Sequence, residues 1–569
     1  MAAGLSCRVC SGELRLLLPG SDAAAGADAF SPSCHELGLH GDLLICHECG
    51  AVEQPGLPSG AELHALYRET RDGSYLTEEA GRRATARRLL GLIAEQAPAG
   101  RLLDVGCGPG LLLDEARTAG YDVVGIELSR EAAQHARDAL GLDVREVALE
   151  DFDDAGGFDV VVLADVIEHV GDPVGAIARC ADLLRPGGVV CVVTPDPSSA
   201  TARLAGRRWW GYLPAHTCLL PRRTLRELLI GAGLVVAADV PLVRTFAARR
   251  WVGGLAERLG RLQGPVDAVA RRVVPPQASL SLSLGDERVV IAQQVAVIDA
   301  PDPLMSDRGG ETSVHVVLPA YRAVATIPAV TAEMDAGVAD RALLVDDASP
   351  DDTTSVALAH GLDVLRHPVN LGYGGSQKSG YLRALLDGAD VIVMVHADDQ
   401  YDPGLVPVMA QPILDGDADM VIGSRLLDDQ AIAGGMPRWK WVGNRLLTEA
   451  ENRAFGVRFS EYHTGYRAFS ADLLRSIPFL RNSDSFVFDQ ELFAQVIAHG
   501  ARVAEIPIPT RYFHEASSVS FTTSVRYGLD TLGVLARFTA DRHGRSWTLL
   551  RRPAVDWPEP PVRSARPAA

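Results

Sequence analysis

The sequence lacks any run of about eighteen apolar residues, so it predicts no transmembrane helix. It also lacks an excess of positive charge, because 54 basic residues face 73 acidic ones and the formal net charge is −19. This balance disfavours a polyanion such as DNA or RNA as the main ligand, although backbone amides can still hold a bound nucleotide. No signal peptide precedes the first cysteines, and we expect a cytoplasmic protein.

Cysteine is scarce as well, with nine residues in a chain of 569. The odd number, with several cysteines inside apolar stretches, is typical of a reducing compartment in which thiols serve metal binding or packing. The length suggests three or four domains. Composition and periodicity predict a cysteine-knuckle region over 1–80, two α/β domains over 81–298 and 312–545, a linker over 299–311 and a disordered Pro-rich tail over 546–569.

Two Cys-x-x-Cys pairs frame the first region, Cys7 with Cys10 and Cys46 with Cys49. Each pair can direct two thiolates at one Zn²⁺, which predicts a zinc ribbon with a structural metal. A region this small buries little core, so the metal would supply folding free energy. Three side chains between the pairs could replace a ligand: Cys34, His35 and His40. The alternative is four reduced cysteines without a metal.

A strand, a glycine turn and a helix follow one another in "RLLDVGCGPGLLLDEARTAG". The strand ends at Asp104, and Gly106, Gly108 and Gly110 allow the backbone to approach a ligand closely. The next strand ends at Glu127, which can accept hydrogen bonds from a ribose diol. The pattern predicts a Rossmann-like domain that binds a nucleoside.

The spacing D-x-G-x-G-x-G resembles that of class I S-adenosylmethionine-dependent methyltransferases, and "LEDF", "FDVVVLADVIEHV" and "LLRPGGVVCVVTP" extend the match. Cysteine knuckles and a Tyr-bearing segment like "ALYRETRDGSYL" also precede such a domain in one subfamily. The resemblance implies S-adenosylmethionine as cofactor. It implies these contacts: Asp104, Gly106, Gly108 and Gly110 with the methionine and ribose, Glu127 with the ribose, Glu150 or Asp151 facing the adenine, and Phe152 stacking nearby.

Asp165 and His169 follow the fourth strand, where the substrate would meet the cofactor. Methyl transfer needs an in-line nucleophile, and an oxygen or carbon nucleophile also needs a base. His169 and His216 are the candidates for that base. Both could instead be structural histidines at the edge of the cleft, and Cys107 is interpreted as a small residue among the glycines.

The third block repeats the pattern of strands that end in acidic or glycine-rich turns, in "VHVVLPAYRAVATI", "RALLVDDASPDDT", "RHPVNLGYGGSQKSGY" and "VIVMVHADDQYDP". Strand ends of this kind form a ligand crevice at one edge of an open α/β sheet. The motifs "LPAY", "VDDAS", "NLGYGGSQKSGY", "HADDQYDP", "IGSR", "HTGYRAFS" and "FDQELFAQ" resemble, in order, those of family 2 glycosyltransferases with a GT-A fold, of the dolichyl-phosphate mannosyltransferase type.

That family has Asp-x-Asp where this chain has His396-Ala397-Asp398. The resemblance implies that Asp398 meets a divalent metal, while His396 lies nearer the sugar nucleotide or joins the metal. Mg²⁺ and Mn²⁺ both favour carboxylate and phosphate oxygens, and an imidazole shifts the expectation toward Mn²⁺. The alternative is a solvated acidic turn that binds no metal.

Further roles are implied by position in the motifs. Asp346 and Asp347 would hold the nucleoside, and Pro319 and Tyr321 would belong to the sugar-nucleotide site. The remaining candidates are Arg366 and Lys378, for phosphates or the surface; Arg425 and Arg467, for donor phosphates or an anionic acceptor; and Asp489 and Glu491, for orienting the acceptor. One of the last two could act as base for a hydroxyl acceptor, whereas a lipid phosphate needs none. Residues 511–521 and the following helix would flank the acceptor; that helix has an apolar face, which we interpret as core or dimer contact rather than a membrane surface.

The sequence therefore predicts a bifunctional enzyme that transfers methyl from S-adenosylmethionine and a sugar from a nucleotide-diphospho-sugar to a polyprenyl phosphate or glycan. One alternative keeps the glycosyltransferase active and makes the methyltransferase half a cofactor-binding scaffold; another is a non-catalytic sugar-nucleotide sensor. Peripheral contact with the inner face of a membrane and homo-oligomerisation stay open.

Overall fold

The computed structural model describes residues 5–20, 40–58, 60–71, 75–154, 157–247, 275, 279–305, 312–334, 337–428, 436, 438–509 and 521–555. The chain divides into two compact units, one of Met1–Cys46 with Gly50–Gln294 and one of His47–Cys49 with Val295–Ala569. Both are mixed α/β folds, which confirms the predicted fold class.

The strands of the first unit are β1 (Leu14–Leu18), β2 (Leu43–Cys46), β3 (Val52–Glu53), β4 (Arg101–Val105), β5 (Asp122–Ile126), β6 (Val144–Arg145), β7 (Phe158–Ala164), β8 (Leu184–Pro195), β9 (Cys218–Leu219), β10 (Leu234–Pro241), β11 (Arg244–Ala247), β12 (Ser279–Leu282) and β13 (Glu287–Gln294). Its helices are α1 (Ala61–Glu69), α2 (Glu79–Ala94), α3 (Leu111–Thr118), α4 (Arg130–Leu140), α5 (Pro173–Asp182), α6 (Ala200–Ala205) and α7 (Arg222–Gly231). Short 3₁₀ turns cover Tyr75–Glu78, Leu149–Asp151 and Gly206–Arg208.

A seven-stranded sheet in the order β10-β13-β8-β7-β4-β5-β6 forms the centre of this unit. Strands β4 to β8 run parallel, and their residues are almost continuously buried because helices cover both faces. Ser129 caps α4 by accepting a hydrogen bond from Ala132 N, and Gly141 ends that helix in the left-handed conformation. The carboxyl ends of β4, β5 and β7 therefore meet at one edge of the sheet. A smaller sheet in the order β1-β2-β3-β9 carries the cysteine pairs.

The strands of the second unit are β14 (Val297–Ile298), β15 (Val314–Ala320), β16 (Arg341–Asp346), β17 (Asp363–Arg366), β18 (Val391–Met394), β19 (Met420–Ser424), β20 (Arg467–Ser470) and β21 (Val503–Pro507). Its helices are α8 (Ile327–Ala332), α9 (Thr353–Ala359), α10 (Tyr373–Leu386), α11 (Val406–Leu414), α12 (Arg438–Phe455), α13 (Ala471–Ser476), α14 (Phe488–His499) and α15 (Phe521–Arg542), with 3₁₀ turns at Pro403–Leu405, Phe479–Arg481 and Thr548–Leu550.

One eight-stranded sheet, ordered β14-β17-β16-β15-β18-β20-β19-β21, spans the second unit. Strand β15 is parallel to both β16 and β18, and β20 is antiparallel to β18 and β19. Apolar side chains of the central strands are fully buried, as expected for a sheet covered on both faces. The ends of β15, β16 and β18 thus bring the "LPAY", "VDDAS" and "HADDQ" turns to one edge.

None of the helices in the described part of the chain combines the length and apolarity that a membrane crossing requires. Helix α15 packs against the core through Thr531, Val534 and Phe538, whereas Leu529 and Leu532 on it are exposed. The predicted disordered tail differs from the structure at its start: residues 546–555 are described, and Leu549 is fully buried. Residues 556–569 lie outside the described part.

Candidate functional site

The two cysteine pairs form one cluster. The Sγ atoms of Cys7, Cys10, Cys46 and Cys49 all lie within 4.8 Å of one another, and those of Cys10 and Cys46 are 3.5 Å apart. A disulfide would hold two sulfurs at about 2.05 Å, whereas two thiolates on a tetrahedral zinc, each at about 2.3 Å, lie about 3.8 Å apart. The geometry therefore fits a four-thiolate metal site, as predicted.

Tight turns shape each pair for this purpose. Ser11 N donates to Cys7 O and Gly50 N donates to Cys46 O, while Val9 N points at the Cys7 sulfur at 3.4 Å. His40 does not join the sulfurs: its Nδ1 lies 2.8 Å from Gly41 O and its ring packs on Tyr212. Cys34 and His35 lie outside the described residues.

The glycine turn after β4 has the backbone that the motif predicts. Gly106, Gly108 and Gly110 all have positive φ, and Gly106 N donates to Ile126 O at 2.8 Å. At Gly106 a Cβ would come within 2.8 Å of the Val166 side chain, so the turn packs closely against the segment after β7. Cys107 is buried in the core beneath the turn, in agreement with its interpretation as a small packing residue.

Glu127 lies directly against this turn. One carboxylate oxygen accepts from Gly108 N at 2.8 Å and the other from Ser129 N at 2.7 Å. Burial raises the pKa of Glu127, and burial together with the charge of Glu127 raises the pKa of the nearby Asp104 to about 8. The buried Asp104 and the half-buried Glu127, beside a backbone of glycines, form a site for a ligand that carries hydrogen-bond donors or positive charge.

Of the residues predicted to lie near the adenine, Glu150 is at the surface and Phe152 is in the core. The Glu150 side chain is 56% exposed, and its carboxylate lies 4.0 Å from the imidazole of His64. Asp151 shares its 3₁₀ turn. Phe152 differs from the predicted role, because it is 2% exposed and its ring packs against Phe158 at 6.2 Å, which places it in the core.

His169 and His216 lie together, with ring centroids 4.8 Å apart. His216 Nδ1 donates to Gly211 O at 2.7 Å, while His169 Nδ1 lies 2.9 Å from the Tyr67 hydroxyl and 3.2 Å from Ala215 O. Burial lowers the pKa of His169 to about 4 and that of His216 to about 3. Both imidazoles are therefore neutral near pH 7 and have a nitrogen that can accept a proton, although pKa values this low make each a weak base.

Glu168 completes this group, and ligand atoms of Glu168, His169 and His216 lie within 4.8 Å of one another. Glu168 accepts from the Thr194 hydroxyl at 3.0 Å, and burial followed by the charge of Asp165 raises its pKa. The buried acid and the two neutral imidazoles together provide groups that can donate and accept a proton.

Asp165 has positive φ and an ion pair that the sequence did not reveal. Both of its oxygens contact Arg244 Nη2, at 2.7 and 2.8 Å, and Arg244 also pairs with Glu287. Burial raises the pKa of Asp165, but the charge and the hydrogen bonds of Arg244, together with smaller contributions from neighbouring groups, outweigh it and lower the pKa overall. Arg244 lies on β11, far from Asp165 in sequence, so no local motif signals the contact.

Three further residues near the turn were missed as site residues. Tyr67 contacts His169 as described above, and the Tyr75 hydroxyl is the nearest atom to a Cβ built on Gly108, at 3.9 Å. The Arg82 guanidinium stacks over the Tyr75 ring at 3.7 Å. Both tyrosines lie in or beside the quoted segment "ALYRETRDGSYL", which was the available signal.

In the second unit, the two acids after β16 are both engaged by the protein. Asp346 accepts from Ser349 N at 2.9 Å and from the Thr354 hydroxyl at 2.5 Å. Asp347 accepts from Leu371 N and Gly372 N, each at 2.8 Å, and pairs with His367 Nδ1 at 2.7 Å. Asp347 thereby fixes the start of the glycine-rich loop and α10.

His396 and Asp398 lie at the edge of this sheet. His396 Nδ1 is 3.8 Å from Asp398 Oδ2, and its Nε2 is 3.1 Å from the Tyr373 hydroxyl. Asp398 Oδ1 accepts from Gln400 N at 3.2 Å, and its side chain is 27% exposed. Burial lowers the pKa of His396, which keeps the ring neutral. An imidazole nitrogen and a carboxylate oxygen at this separation are compatible donors for one divalent ion.

The Tyr373 hydroxyl connects this pair to an internal ion pair. It donates to Asp489 Oδ2 at 3.3 Å, and Asp489 Oδ1 lies 2.6 Å from Arg467 Nη1. Gln377 Nε2 also donates to Asp489, at 3.1 Å. Arg467 is fully buried, so its position differs from the predicted contact with phosphates.

Other predicted phosphate or acceptor residues also have internal partners. Lys378 is buried, donates to Asn482 O at 2.9 Å and pairs with Asp484. Arg425 pairs with the fully buried Glu461, and Glu491 accepts from Ser483 N at 2.5 Å. Two residues retain exposed side chains: Arg366, with 49% exposure, and Tyr321, with 50%.

Pro319 lies within β15, one residue before its end. The predicted acceptor segment 511–521 lies outside the described residues except for Phe521, where α15 begins. His367 was missed as a supporting residue: its ring is buried, and it links Asp347 to Ser379 Oγ at 2.8 Å.

Comparison with known proteins supports both halves. The family model described as a methyltransferase domain matches residues 77–238, and that of glycosyl transferase family 2 matches residues 315–477. The uncharacterized protein MJ1222 of Methanocaldococcus jannaschii is 31% identical over 199 residues, which are 35% of this chain and 82% of that protein.

Ubiquinone biosynthesis O-methyltransferases match a smaller share of this chain. That of Rhodopseudomonas palustris (strain BisB5) is 35% identical over 163 residues, 26% of this chain and 64% of the enzyme. That of Cereibacter sphaeroides is 40% identical over 126 residues, 21% of this chain and 51% of the enzyme. The chain thus spans about half to two thirds of the length of these methyltransferases.

Among solved structures, glucosyl-3-phosphoglycerate synthase from Mycobacterium tuberculosis with uridine-diphosphate is similar at 21% identity and a TM-score of 0.34, over 40% of this chain and 81% of that one. DesVI from Streptomyces venezuelae is similar at 32% identity and a TM-score of 0.19, over 20% and 52%. At these TM-scores neither likeness bears on function. The two family matches nevertheless agree with the motifs, and this chain joins a methyltransferase domain to a glycosyl transferase family 2 domain that follows it.

Proposed function

We propose that the first unit transfers a methyl group from S-adenosylmethionine, and that the second transfers a sugar from a nucleotide-diphospho-sugar to an acceptor that carries its own phosphate. The observation that carries the proposal is the gathering of Glu127 with the glycine turn, and of Asp398 with His396, at the carboxyl ends of parallel strands.

In the methyltransferase site, Glu127 would accept hydrogen bonds from the ribose, and Asp104 would face the positively charged part of the cofactor. Bound S-adenosylmethionine supplies an electrophilic methyl group on a sulfonium. His169, neutral and held by Tyr67, would remove a proton from an oxygen or carbon nucleophile on the substrate. Glu150 or Asp151 is proposed to face the adenine.

In the glycosyltransferase site, Asp398 and His396 would hold a divalent metal. When bound, Mn²⁺ or Mg²⁺ neutralises the charge that develops on the departing nucleotide diphosphate. Tyr373 would fix the His396 ring so that Nδ1 faces the metal. Asp347, by gripping Leu371 N and Gly372 N, would shape the glycine-rich loop around the donor.

The acceptor is proposed from the state of Asp489. The negative charge of its carboxylate is neutralised by the ion pair with Arg467, and the carboxylate receives hydrogen bonds from Gln377 and Tyr373. An acid paired with a buried guanidinium is a poor base, because removal of its charge would leave Arg467 unpaired. A polyprenyl phosphate or another phosphate-bearing acceptor is already nucleophilic, and it fits this site better than a neutral hydroxyl.

Calorimetry with S-adenosylmethionine on the full chain tests the first half. We expect binding by the wild type and at least tenfold weaker binding by Glu127→Gln, whose amide places a donor against Gly108 N or Ser129 N. Gln134→Glu, on the exposed surface of α4, is the control. If the wild type does not bind, the enzyme assignment fails; if it binds but transfers no methyl to any acceptor, the scaffold alternative is favoured.

Metal-dependent hydrolysis of nucleotide sugars tests the second half. Wild type with Mn²⁺ or Mg²⁺ should release nucleoside diphosphate, and Asp398→Ala should lose that activity, whereas Asp415→Ala on the exposed end of α11 should not. Equal rates for wild type and Asp398→Ala would refute the metal assignment. Binding without turnover in any condition would favour a sugar-nucleotide sensor.

Zinc is proposed for the four-cysteine cluster on its geometry. Localisation at the inner face of a membrane is a further proposal, which follows from a polyprenyl phosphate acceptor and would be tested by sedimentation with anionic vesicles.

A further inference from the structure

The cysteine-rich sheet is hydrogen-bonded directly to the loop that carries His216. Strand β3 begins two residues after the second knuckle turn, where Cys46 N donates to Ala51 O at 2.8 Å. It pairs with β9, which starts two residues after His216, so that Val52 lies opposite Leu219 and Glu53 opposite Cys218. The cysteine cluster and the His216 loop are therefore connected through two paired strands, β3 and β9.

Gln54, directly after β3, adds a side-chain connection to the His216 loop. It is 1% exposed, and its Nε2 donates to Leu213 O at 2.6 Å and to His216 O at 2.8 Å. Its Oε1 accepts from Gly41 N at 2.8 Å, and its backbone N donates to Thr217 O at 3.1 Å. One side chain thus uses both amide hydrogens on the His216 loop and its oxygen on the segment before β2.

The other side of this loop is held by the segment that carries His169. Thr217 N donates to Glu168 O at 2.8 Å, and its hydroxyl donates to Val170 O at 2.7 Å. The His216 ring then meets the edge of His169 at 4.8 Å between centroids. The position of His216 against His169 is therefore set jointly by the cysteine-rich sheet and by the turn after β7.

From these contacts we infer that Gln54 is a positioning residue for methyl transfer, and that metal binding by the four cysteines holds His216 in register with His169. The inference rests on the proposed methyltransferase function. Zinc fixes the turn that leads into β3, and β3 with Gln54 fixes the backbone on both sides of His216. Loss of the metal, or of the Gln54 donors, releases His216 without changing Asp104, the glycine turn or Glu127.

The test uses the full chain and Gln54→Glu. This variant keeps the shape and one acceptor oxygen but removes both donors and turns an oxygen toward two carbonyl oxygens. Gln54→Met removes the same donors without adding a charge, and it decides the question if Gln54→Glu does not fold. Gln134→Glu, exposed on α4, is the matched control.

The readout is histidine-selective NMR, with the two signals assigned from His169→Gln and His216→Gln. We expect the wild type and Gln134→Glu to show a nuclear Overhauser effect between the two rings. Gln54→Glu should lose it while it retains one zinc per chain and binds S-adenosylmethionine within twofold of the wild type. Wild type stripped of zinc by a chelator should lose the same signal and regain it when zinc returns.

A ring–ring signal that persists in both Gln54 variants, or in zinc-free protein that still binds S-adenosylmethionine, would overturn the inference. Failure of the proposed function has a different signature: wild type would bind no S-adenosylmethionine, yet the histidine signals would still report whether zinc and Gln54 position His216.

Discussion

The substitution Gly465→Ala tests whether a close backbone approach holds His396 in place. A Cβ built on Gly465 would place both Nε2 and Cε1 of His396 well inside 3.0 Å, a separation that real Cβ atoms essentially never show. The φ angle of Gly465 lies outside the left-handed region, so the alanine backbone itself is unstrained. The conflict is therefore confined to the imidazole.

The magnitude follows from this contact. Ordinary van der Waals contact begins near 3.4 Å. The ring must then retreat by on the order of 1 Å, and overpacking of this kind costs about 1–3 kcal/mol of stability. His396 would also lose its contact with the Tyr373 hydroxyl at 3.1 Å. If His396 and Asp398 share a metal, we expect Mn²⁺-dependent binding of a nucleoside diphosphate to weaken about tenfold or more, because a ligand misplaced by about this distance no longer coordinates.

The assay is calorimetric titration of the full chain with a panel of nucleoside diphosphates in the presence of Mn²⁺, beside chemical unfolding. Gly443→Ala is the control, since nothing lies within 4 Å of a Cβ at that helical position. The double variant His396→Ala with Gly465→Ala removes the atom that clashes, so it should be no less stable than His396→Ala alone. Wild-type affinity in Gly465→Ala, or the same stability loss with and without His396, would refute the reasoning.

Three further predictions concern other parts of the chain. Cys46→Ser should lower the zinc content measured by elemental analysis from about one ion per chain to near zero, because three thiolates hold the metal far less tightly; unchanged zinc would contradict the site. Since burial raises the pKa of Asp104 to about 8, the native state keeps a proton that the unfolded chain releases near pH 4, so the stability of ligand-free protein should fall as pH rises between these values. Asp104→Asn should flatten that slope in urea unfolding at several pH values, and an unchanged slope would argue against it. Asp347→Ala should cost about 3 kcal/mol, because it leaves Leu371 N and Gly372 N without their acceptor; a loss no larger than that of Asp415→Ala would show that the loop is held otherwise.

The parts of the fold that could be predicted from sequence are those with local signals. The glycine turn and Glu127 follow from residues within one strand–helix–strand unit, and the structure brings Glu127 to Gly108 N as that pattern requires. The cysteine pairs are equally local, because each Cys-x-x-Cys turn is shaped by its own backbone. Both α/β folds could be predicted because strands that alternate with helices along the chain form mostly parallel sheets.

The charged side chains were harder to predict, because their partners lie far away in the sequence. Lys378 was predicted to contact phosphates or lie at the surface, and Arg425 and Arg467 to contact donor phosphates or an anionic acceptor. Each instead has an acid as partner, at Asp484, Glu461 and Asp489 respectively. A motif shows that a charge is required, but it does not show whether that charge meets a ligand or another side chain. The tertiary contacts of each charged side chain decide this.

His396 shows how such long-range dependence bears on chemistry. The sequence reveals that an imidazole stands where a carboxylate is usual, but an imidazole is larger and needs room that the local segment does not supply. Gly465, in the turn before β20, leaves space for the ring because it has no Cβ. Tyr373, at the start of α10, orients the ring through its hydroxyl. The accommodation of an imidazole at position 396 therefore depends on three separate segments. If the metal site evolved as a unit, restoring an aspartate at 396 alone should leave a void beside Gly465 and Tyr373, and it should not by itself improve metal binding.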